Sequence, residues 1–451
     1  MSTYPLAERL YDIITRQEGD QACAELPEGA CAKVPKNFFL NALNGSATKL
    51  AEQIASPSLV LPWFLSTLGA PTALAGLLVP VRRAGSLLPQ LAIAGQIRRF
   101  QKRKWFWVGA GAVQAVSLLL MALLAPNLSA LGAGLMVLLL LGLFSLASGV
   151  GSVSFKDVLA KTIPQGQRGT LLAARATIGG LLALGAGILL RTYVAAENTL
   201  TIYLILLLGA AGLWLLAVLL FAAIDEAQGL TQEERTMFEE ARAGLALLRQ
   251  VPGFRRFVIA RALLLSVTLS VPFYALDAKA LTGSGGGNLG VFIIAASLAQ
   301  VLSSPLWGRF SDRSSRMVMI LGGGLAAVGG SLALLFGGLP AAWQSPYLYG
   351  LIFLLIGMAQ AGVRLGRKTY LVDGAPEAER PLYVALTNTL VGLVTLAGGA
   401  LGLVAQAFSV RLLIAIFAVL ALLGALASWH MPEAEKMAKG FYQEEYNHGT
   451  S

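Results

Sequence analysis

Twelve apolar segments, most of them about twenty residues or longer, follow one another through this chain with mostly short polar loops between them. Residues 199–224 carry no charged side chain at all. About 20 apolar residues is the length of a helix that crosses the hydrocarbon core of a bilayer. In lipid the backbone must satisfy its own hydrogen bonds, so such a segment is helical. Composition points the same way. The chain is 56% hydrophobic and 13% charged, against roughly 25% charged in a typical soluble domain. It reads as an all-α polytopic membrane protein with twelve transmembrane helices.

The loops set the expected orientation. Residues 98–104 hold Arg98, Arg99, Lys102, Arg103 and Lys104, and the next even-numbered loops hold Lys156, Lys161 and Arg168, then Arg309, Arg313 and Arg316, then Arg367, Lys368 and Arg380. The loops at 66–70, 126–129 and 338–345 hold no Lys or Arg. Basic loops stay on the cytoplasmic side, so both termini are expected there, with a bacterial inner membrane as the location. The net charge of +10 sits in these loops, which argues against nucleic acid as its partner. The domains read as a tail at 1–36, six helices at 37–224, a charged linker at 225–254, six more helices at 255–431 and a tail at 432–451. Thr231 followed by Glu234 is a capping-box signature, so an amphipathic helix is expected over residues 232–249. Pro5–Arg16 reads as a surface amphipathic helix or as a partly ordered leader. No cleavable signal peptide is visible, so the first span would serve as the insertion signal. Cys23 and Cys31 read as free thiols.

Between the eighth and ninth spans the chain reads Gly308-Arg-Phe-Ser-Asp312-Arg313-Ser-Ser-Arg316. A shift of 213 residues lays this run on Gly95-Gln-Ile-Arg-Arg99-Phe-Gln-Lys-Arg103, where Arg99 replaces the acid. A shift of 212 lays Pro164 and Arg168 on Pro376 and Arg380. Two loop pairs at nearly one offset indicate a duplicated six-helix unit. This Gly-x-x-x-Asp-Arg-x-x-Arg pattern in duplicate halves resembles the major facilitator superfamily of transporters, over residues 37–432. The resemblance implies two six-helix bundles that rock about a central cavity. It gives Gly308, Asp312, Arg313 and Arg316 a gating role, with Gly95, Arg99 and Arg103 as a copy lacking the central acid. The fifth helix has no Gly-Pro element, a departure that weakens assignment to the family's drug antiporters.

Ionisable side chains inside spans are costly and mark function by default. Lys49 and Glu52 lie one helical turn apart in the first span, and Arg82 and Arg83 sit near mid-depth in the second. The repeat partners of Arg82 and Arg83 are Ala295 and Ala296, so the arginines are not part of the duplicated scaffold. Lys49, Glu52, Arg82 and Arg83 form the expected cluster, read as an anion or proton-coupling site or as structural ion pairs. Successive helical residues point about 100° apart, so at most one of the two arginines is expected to face the cavity directly. Arg175 is a weaker candidate. Arg261 and Arg364 read as anchors near the cytoplasmic end. Asp277 and Lys279 read as a solvated helix end or an outer gate pair.

No nucleotide loop, zinc-spaced His/Cys set or catalytic triad appears, so neither an enzyme nor a cofactor or metal is expected. The expected activity is secondary transport of a small anionic or zwitterionic solute by a monomer, with protons as the candidate coupling ion. The alternative is a non-transporting assembly factor or receptor of the same fold.

Overall fold

The computed structural model describes residues 31–98, 100–193, 199–227, 248–283, 285–311, 313–375 and 380–437. Among these residues the helices group into twelve passes. The first half contains α1 (Val34–Ile54, resumed as Val60–Thr67), α2 (Thr72–Arg98), α3 (Lys104–Leu124), α4 (Ala130–Thr162), α5 (Gln165–Tyr193) and α6 (Thr199–Ala222). The second contains α7 (Pro252–Leu263, Ser266–Leu269 and Val271–Thr282), α8 (Gly286–Ser311), α9 (Ser315–Phe336), α10 (Pro346–Gly374), α11 (Arg380–Gly399 and Leu401–Ala407) and α12 (Val410–Trp429). Nine helices among the described residues are long and apolar enough to span a membrane by length and composition. The expected surface helix at 5–16, the linker helix at 232–249, Cys23, Arg99, Asp312 and Pro376 lie outside the described residues.

Local signals account for the helix starts. Ser129, Ser314, Ser345 and Ser409 precede α4, α9, α10 and α12. Each side chain accepts a backbone N–H three residues on, from Gly132, Met317, Leu348 and Leu412, and so satisfies an otherwise orphaned donor.

α1 fails the apolar test because it is an inner helix. Asn37, Asn41 and Asn44 are fully buried and are used to fasten neighbours. Asn37 and Asp225 exchange bonds of 2.9 and 3.1 Å. Asn44 Nδ2 donates to the Ala217 carbonyl of α6 at 2.8 Å. Arg175 of α5 donates to the side chains of Asn41 and Asn44 and lies 4.4 Å from the Phe155 ring centroid. The helix then breaks over Ala55–Leu59, where Pro57 removes a donor and the Ser56 carbonyl accepts from Leu59, Val60 and Leu61. Irregular backbone at membrane depth persists only where it is buried or lines a cavity.

The halves meet at the end away from the basic loops, called here the far end. α1 packs on α7, α2 on α11 and α5 on α8. The backbones touch there. A Cβ on Gly76 would stand 2.7 Å from Gly402 Cα, and one on Gly290 would stand 2.7 Å from Arg191 N. Small residues permit such crossings in lipid.

Candidate functional site

A cavity of about 420 Å³ lies between the halves. Its lining comes from both. α1 gives Lys49, Glu52, Gln53 and Pro57, α2 gives Arg82, Arg83 and Ser86, and α4 gives Phe144. The second half gives Arg261 from α7, Gln300 from α8, Arg364 and Arg367 from α10, and Asn388 and Thr395 from α11. Six cationic side chains thus face one carboxylate.

Glu52 is the hinge of the charge arrangement. Its Oε2 accepts from Lys49 Nζ at 3.1 Å and its Oε1 from Arg82 Nη2 at 3.4 Å. Arg82 also lies over the Phe144 ring, 5.2 Å from its centroid. The remaining four cations, Arg83, Arg261, Arg364 and Arg367, form no ion pair among the described residues. Arg261 Nη2 donates to Asn388 Oδ1 at 3.0 Å, and its Nε is buried without a partner. Arg83 lies near enough to Arg364 and Arg367, and Arg261 near enough to Arg367, for their like charges to repel. An Arg presents five donors in a planar fork suited to carboxylate or phosphate. Four of them without acids form a site that an anion would complete.

Several expectations change at this point. Arg82 and Arg83 both line the cavity, because α2 runs along its wall and the long side chains span the 100° between them. Arg261 and Arg364 are lining residues rather than anchors at a helix end, and Arg367 joins them. The cationic cluster therefore belongs to both halves. Arg175 does not line the cavity; it clamps α5 to α1. Lys279 is a bridge between the halves and not a solvated helix end. Its Nζ donates to Thr67 Oγ1 at 2.8 Å and to the Trp63 carbonyl at 3.1 Å. Asp277 is buried and accepts from Tyr349 at 2.8 Å and Arg411 at 3.3 Å, within the second half.

The duplicated loops are fastened by acids that the repeat did not reveal. Glu226, just past α6, accepts from the backbone N–H groups of Arg103 and Lys104 at 3.0 and 2.8 Å and from Lys161 at 2.9 Å. Its carboxylate thereby caps the start of α3, where the helix dipole favours negative charge. Arg103 pairs with Asp157 of α4 at 3.1 Å. In the second half Glu433, just past α12, pairs with Arg316 at 2.6 Å and accepts from Ser314 at 2.9 Å. Each half thus carries an acid from beyond its sixth helix to the start of its third. Arg313 is exposed, and a Cβ on Gly308 would meet open space. Gly95 lies in α2. Arg168 donates to the carbonyls of Ile163 and Ala160 at 2.9 and 2.8 Å and closes the end of α4, beside the buried Pro164. Arg380 opens α11, and its side chain lies outside the described residues. Among the described residues no cluster of His, Cys, Asp and Glu is arranged to hold a metal ion.

Residues 264–447 match the family profile of the Major Facilitator Superfamily. An uncharacterized protein of Mycobacterium tuberculosis is 27% identical over 404 residues, covering 88% of this chain and 78% of its own length. Among solved structures, a nucleoside transporter aligns with a TM-score of 0.67 at 14% identity, over 88% of this chain and 99% of that one. A POT family transporter aligns at 0.66 and 13%, over 90% and 98%. The xylose transporter of E. coli, in an inward-open conformation, aligns at 0.64 and 15%, over 91% and 99%. At such identities the likeness is one of fold, and that fold is used by membrane transporters. Over about nine tenths of its length the chain shares the fold of these transporters, and in its second half it carries the sequence pattern of the Major Facilitator Superfamily.

Proposed function

We propose that this protein is a secondary transporter that moves a small anionic solute across the membrane by alternating access. The observation that carries this reading is the cavity between the halves, where six cations face one carboxylate and four arginines have no acidic partner among the described residues. Lys49 and Arg82 hold Glu52. Arg83, Arg261, Arg364 and Arg367 receive the solute. The far end is sealed through Trp63, Lys279 and the glycine crossings, and the lining residues Arg367 and Asn388 lie toward the basic ends of α10 and α11. With the basic loops cytoplasmic, this is an inward-facing arrangement of a bacterial inner-membrane protein working as a monomer. The two six-helix halves are the units that rock.

Glu52 is the candidate coupling group, since it is the one carboxylate at the cavity and can exchange a proton as access alternates. Asp312, Arg313 and Arg316 act as a latch on the basic side, not as solute ligands, which fits the bonding of Arg316 to Glu433 outside the cavity. A non-transporting assembly factor has no use for a polar cavity that reaches mid-depth, so no observation favours that reading.

The test is the apparent thermal stability of the purified protein against a panel of anionic, zwitterionic, neutral and cationic metabolites. A ligand of the native state raises that stability. Anions are expected to raise it, and the double variant Arg83→Gln/Arg364→Gln is expected to lose the response. Stabilisation by neutral or cationic solutes alone would overturn the reading.

A further inference from the structure

Beside the main cavity lies a second chamber of about 110 Å³, with Gln53, Gln300 and Arg364 in the shared wall. Its polar groups are otherwise uncharged. Ser56 and Ser58 come from the break in α1, and Gln360 comes from α10 one turn before Arg364. The space exists partly because position 296 is alanine. The repeat puts Ala296 of α8 where the first half has Arg83, and this short side chain lines the chamber. The volume holds roughly three or four water-sized groups.

A third recess brings Arg83, Arg261, Arg364 and Arg367 together. Arg364 lines this recess, the main cavity and the neutral chamber alike. An anionic group held by the four arginines therefore lies next to a small compartment of hydroxyls and amides with apolar backing from Leu59 and Phe353. Charge and hydrogen-bonding capacity are separated on the two sides of one side chain.

We infer that the ligand is a small phosphate monoester, with its phosphate on the arginine cluster and its short hydroxylated body in the chamber beside Arg364. This rests on the anion-transport reading above and adds the nature of the attached group. A doubly charged phosphate answers several unpaired arginines better than one carboxylate does, since each guanidinium donates in pairs. Ser56 and Ser58 bond each other through their hydroxyls, and together with the amides of Gln53 and Gln360 they offer donors and acceptors that hydroxyls match. A site built to bond hydroxyls discriminates against an analogue without them, because its own polar groups are then left unpaired. The chamber has no room for an acyl chain, so a soluble ester is the expected source of the phosphate, and a phospholipid headgroup is not.

The experiment measures binding to purified protein by thermal shift or calorimetry, with inorganic phosphate, glycerol phosphate, glycerol and a lysophospholipid of the same headgroup as probes. Glycerol phosphate is expected to bind at least tenfold more tightly than inorganic phosphate, with no response to glycerol. The lysophospholipid is expected to bind no better than inorganic phosphate. Ala296→Leu fills the chamber and is expected to erase the tenfold preference. Gln360→Leu, which keeps the volume and removes the amide, is expected to reduce it. The response of both variants to inorganic phosphate shows whether the arginine cluster is still assembled. Inorganic phosphate binding with no preference for the ester, or a preference that survives both variants, overturns the chamber assignment and leaves the anion reading standing. Tighter binding of the lysophospholipid overturns the soluble-ester assignment. If no anion binds at all, the anion reading fails and the chamber assignment fails with it.

Discussion

Lys279 of α7 donates its ammonium to the carbonyl oxygen of Trp63 on α1 at 3.1 Å, and the Trp63 indole answers with a 2.6 Å bond to the Ala275 carbonyl on α7. The same ammonium reaches Thr67 Oγ1 at 2.8 Å. These bonds cross from one half of the molecule to the other at the far end, on helices that both break at mid-depth. A charged group hydrogen-bonded in a partly buried site contributes about 1.5–3 kcal/mol. Lys279→Met keeps the aliphatic stem and removes the bonds. It is expected to shift the balance toward a far-end-open state by roughly 10-fold or more. Spin labels on Leu128 and Leu339, which are exposed near the far end of each half, report the change as a new, longer distance. An unchanged distance distribution removes Lys279 from the gate.

Arg175 and Arg364 are both arginines in spans, and the structure separates their roles. Arg175 fastens Asn41 and Asn44 of α1 to α5 and stays out of the cavity. Arg175→Met is expected to destabilise the protein by about 1–3 kcal/mol, the cost of leaving a buried amide without its partner. Ligand affinity in the surviving folded fraction should be nearly unchanged. Arg364→Gln is expected to do the reverse, with little loss of melting temperature and at least tenfold weaker anion binding. Calorimetric binding and thermal unfolding on the two variants separate these outcomes. Loss of affinity without loss of stability in Arg175→Met would reassign that residue to the site.

Much of this arrangement was legible in the chain itself. Apolar runs marked out the helical passes, and the Gly95/Gly308 and Pro164/Pro376 offsets pointed to duplicated halves. Intramembrane charge singled out Lys49, Glu52, Arg82 and Arg83. What failed was the placement of residues in the second half. Arg261, Arg364 and Arg367 sit near the basic ends of α7 and α10, and hydropathy does not report how far a helix is rotated or tilted toward the cavity. A sequence signal did exist for Arg364, because Gln360 lies one turn away and the two share a helical face. Glu226 and Glu433 were missed for a different reason. They lie outside the repeat motif, beyond the sixth helix of each half, and only the folded structure carries them to α3 and α9. The polar α1 illustrates the opposite case, since its asparagines lowered its hydropathy for the same reason that they fasten an inner helix.

The carboxylate of Glu52 is held between Lys49 and Arg82, so it balances part of the positive charge whenever the cavity is empty. Closing the cavity around unpaired cations is costly, because each desolvated charge needs a partner. A bound anion supplies that partner, and exchange of one anion for another is expected to exceed net flux of the empty carrier. Glu52→Gln is expected to abolish acceleration by an imposed pH gradient while leaving anion exchange intact within a few-fold. Proteoliposomes preloaded with labelled anion measure both rates. Transport indifferent to the gradient in the wild type, or gradient-driven transport intact in Glu52→Gln, sinks the coupling role.

At the basic end Asp225 joins the start of α1 to the end of α6, through a 2.8 Å pair with Lys36 and the reciprocal bonds with Asn37. The hydrogen bond from Lys36 is the largest influence on its carboxyl. With the neighbouring lysines it outweighs partial burial, so Asp225 titrates below its ordinary value. The sign follows from the charged form being the bonded one. The contribution is fully present above the unfolded value of about 3.9 and is lost as pH falls from there through the depressed folded value. Both partners are well exposed, so solvent and salt limit the pair to about 0.2–1 kcal/mol. Lys36→Met is expected to lower the melting temperature slightly at neutral pH and to narrow the gap to wild type as pH drops below about 4. Thermal unfolding in detergent across that range, at low and high salt, is the measurement. A gap that stays constant with pH shows that Asn37, and not the ion pair, carries the joint.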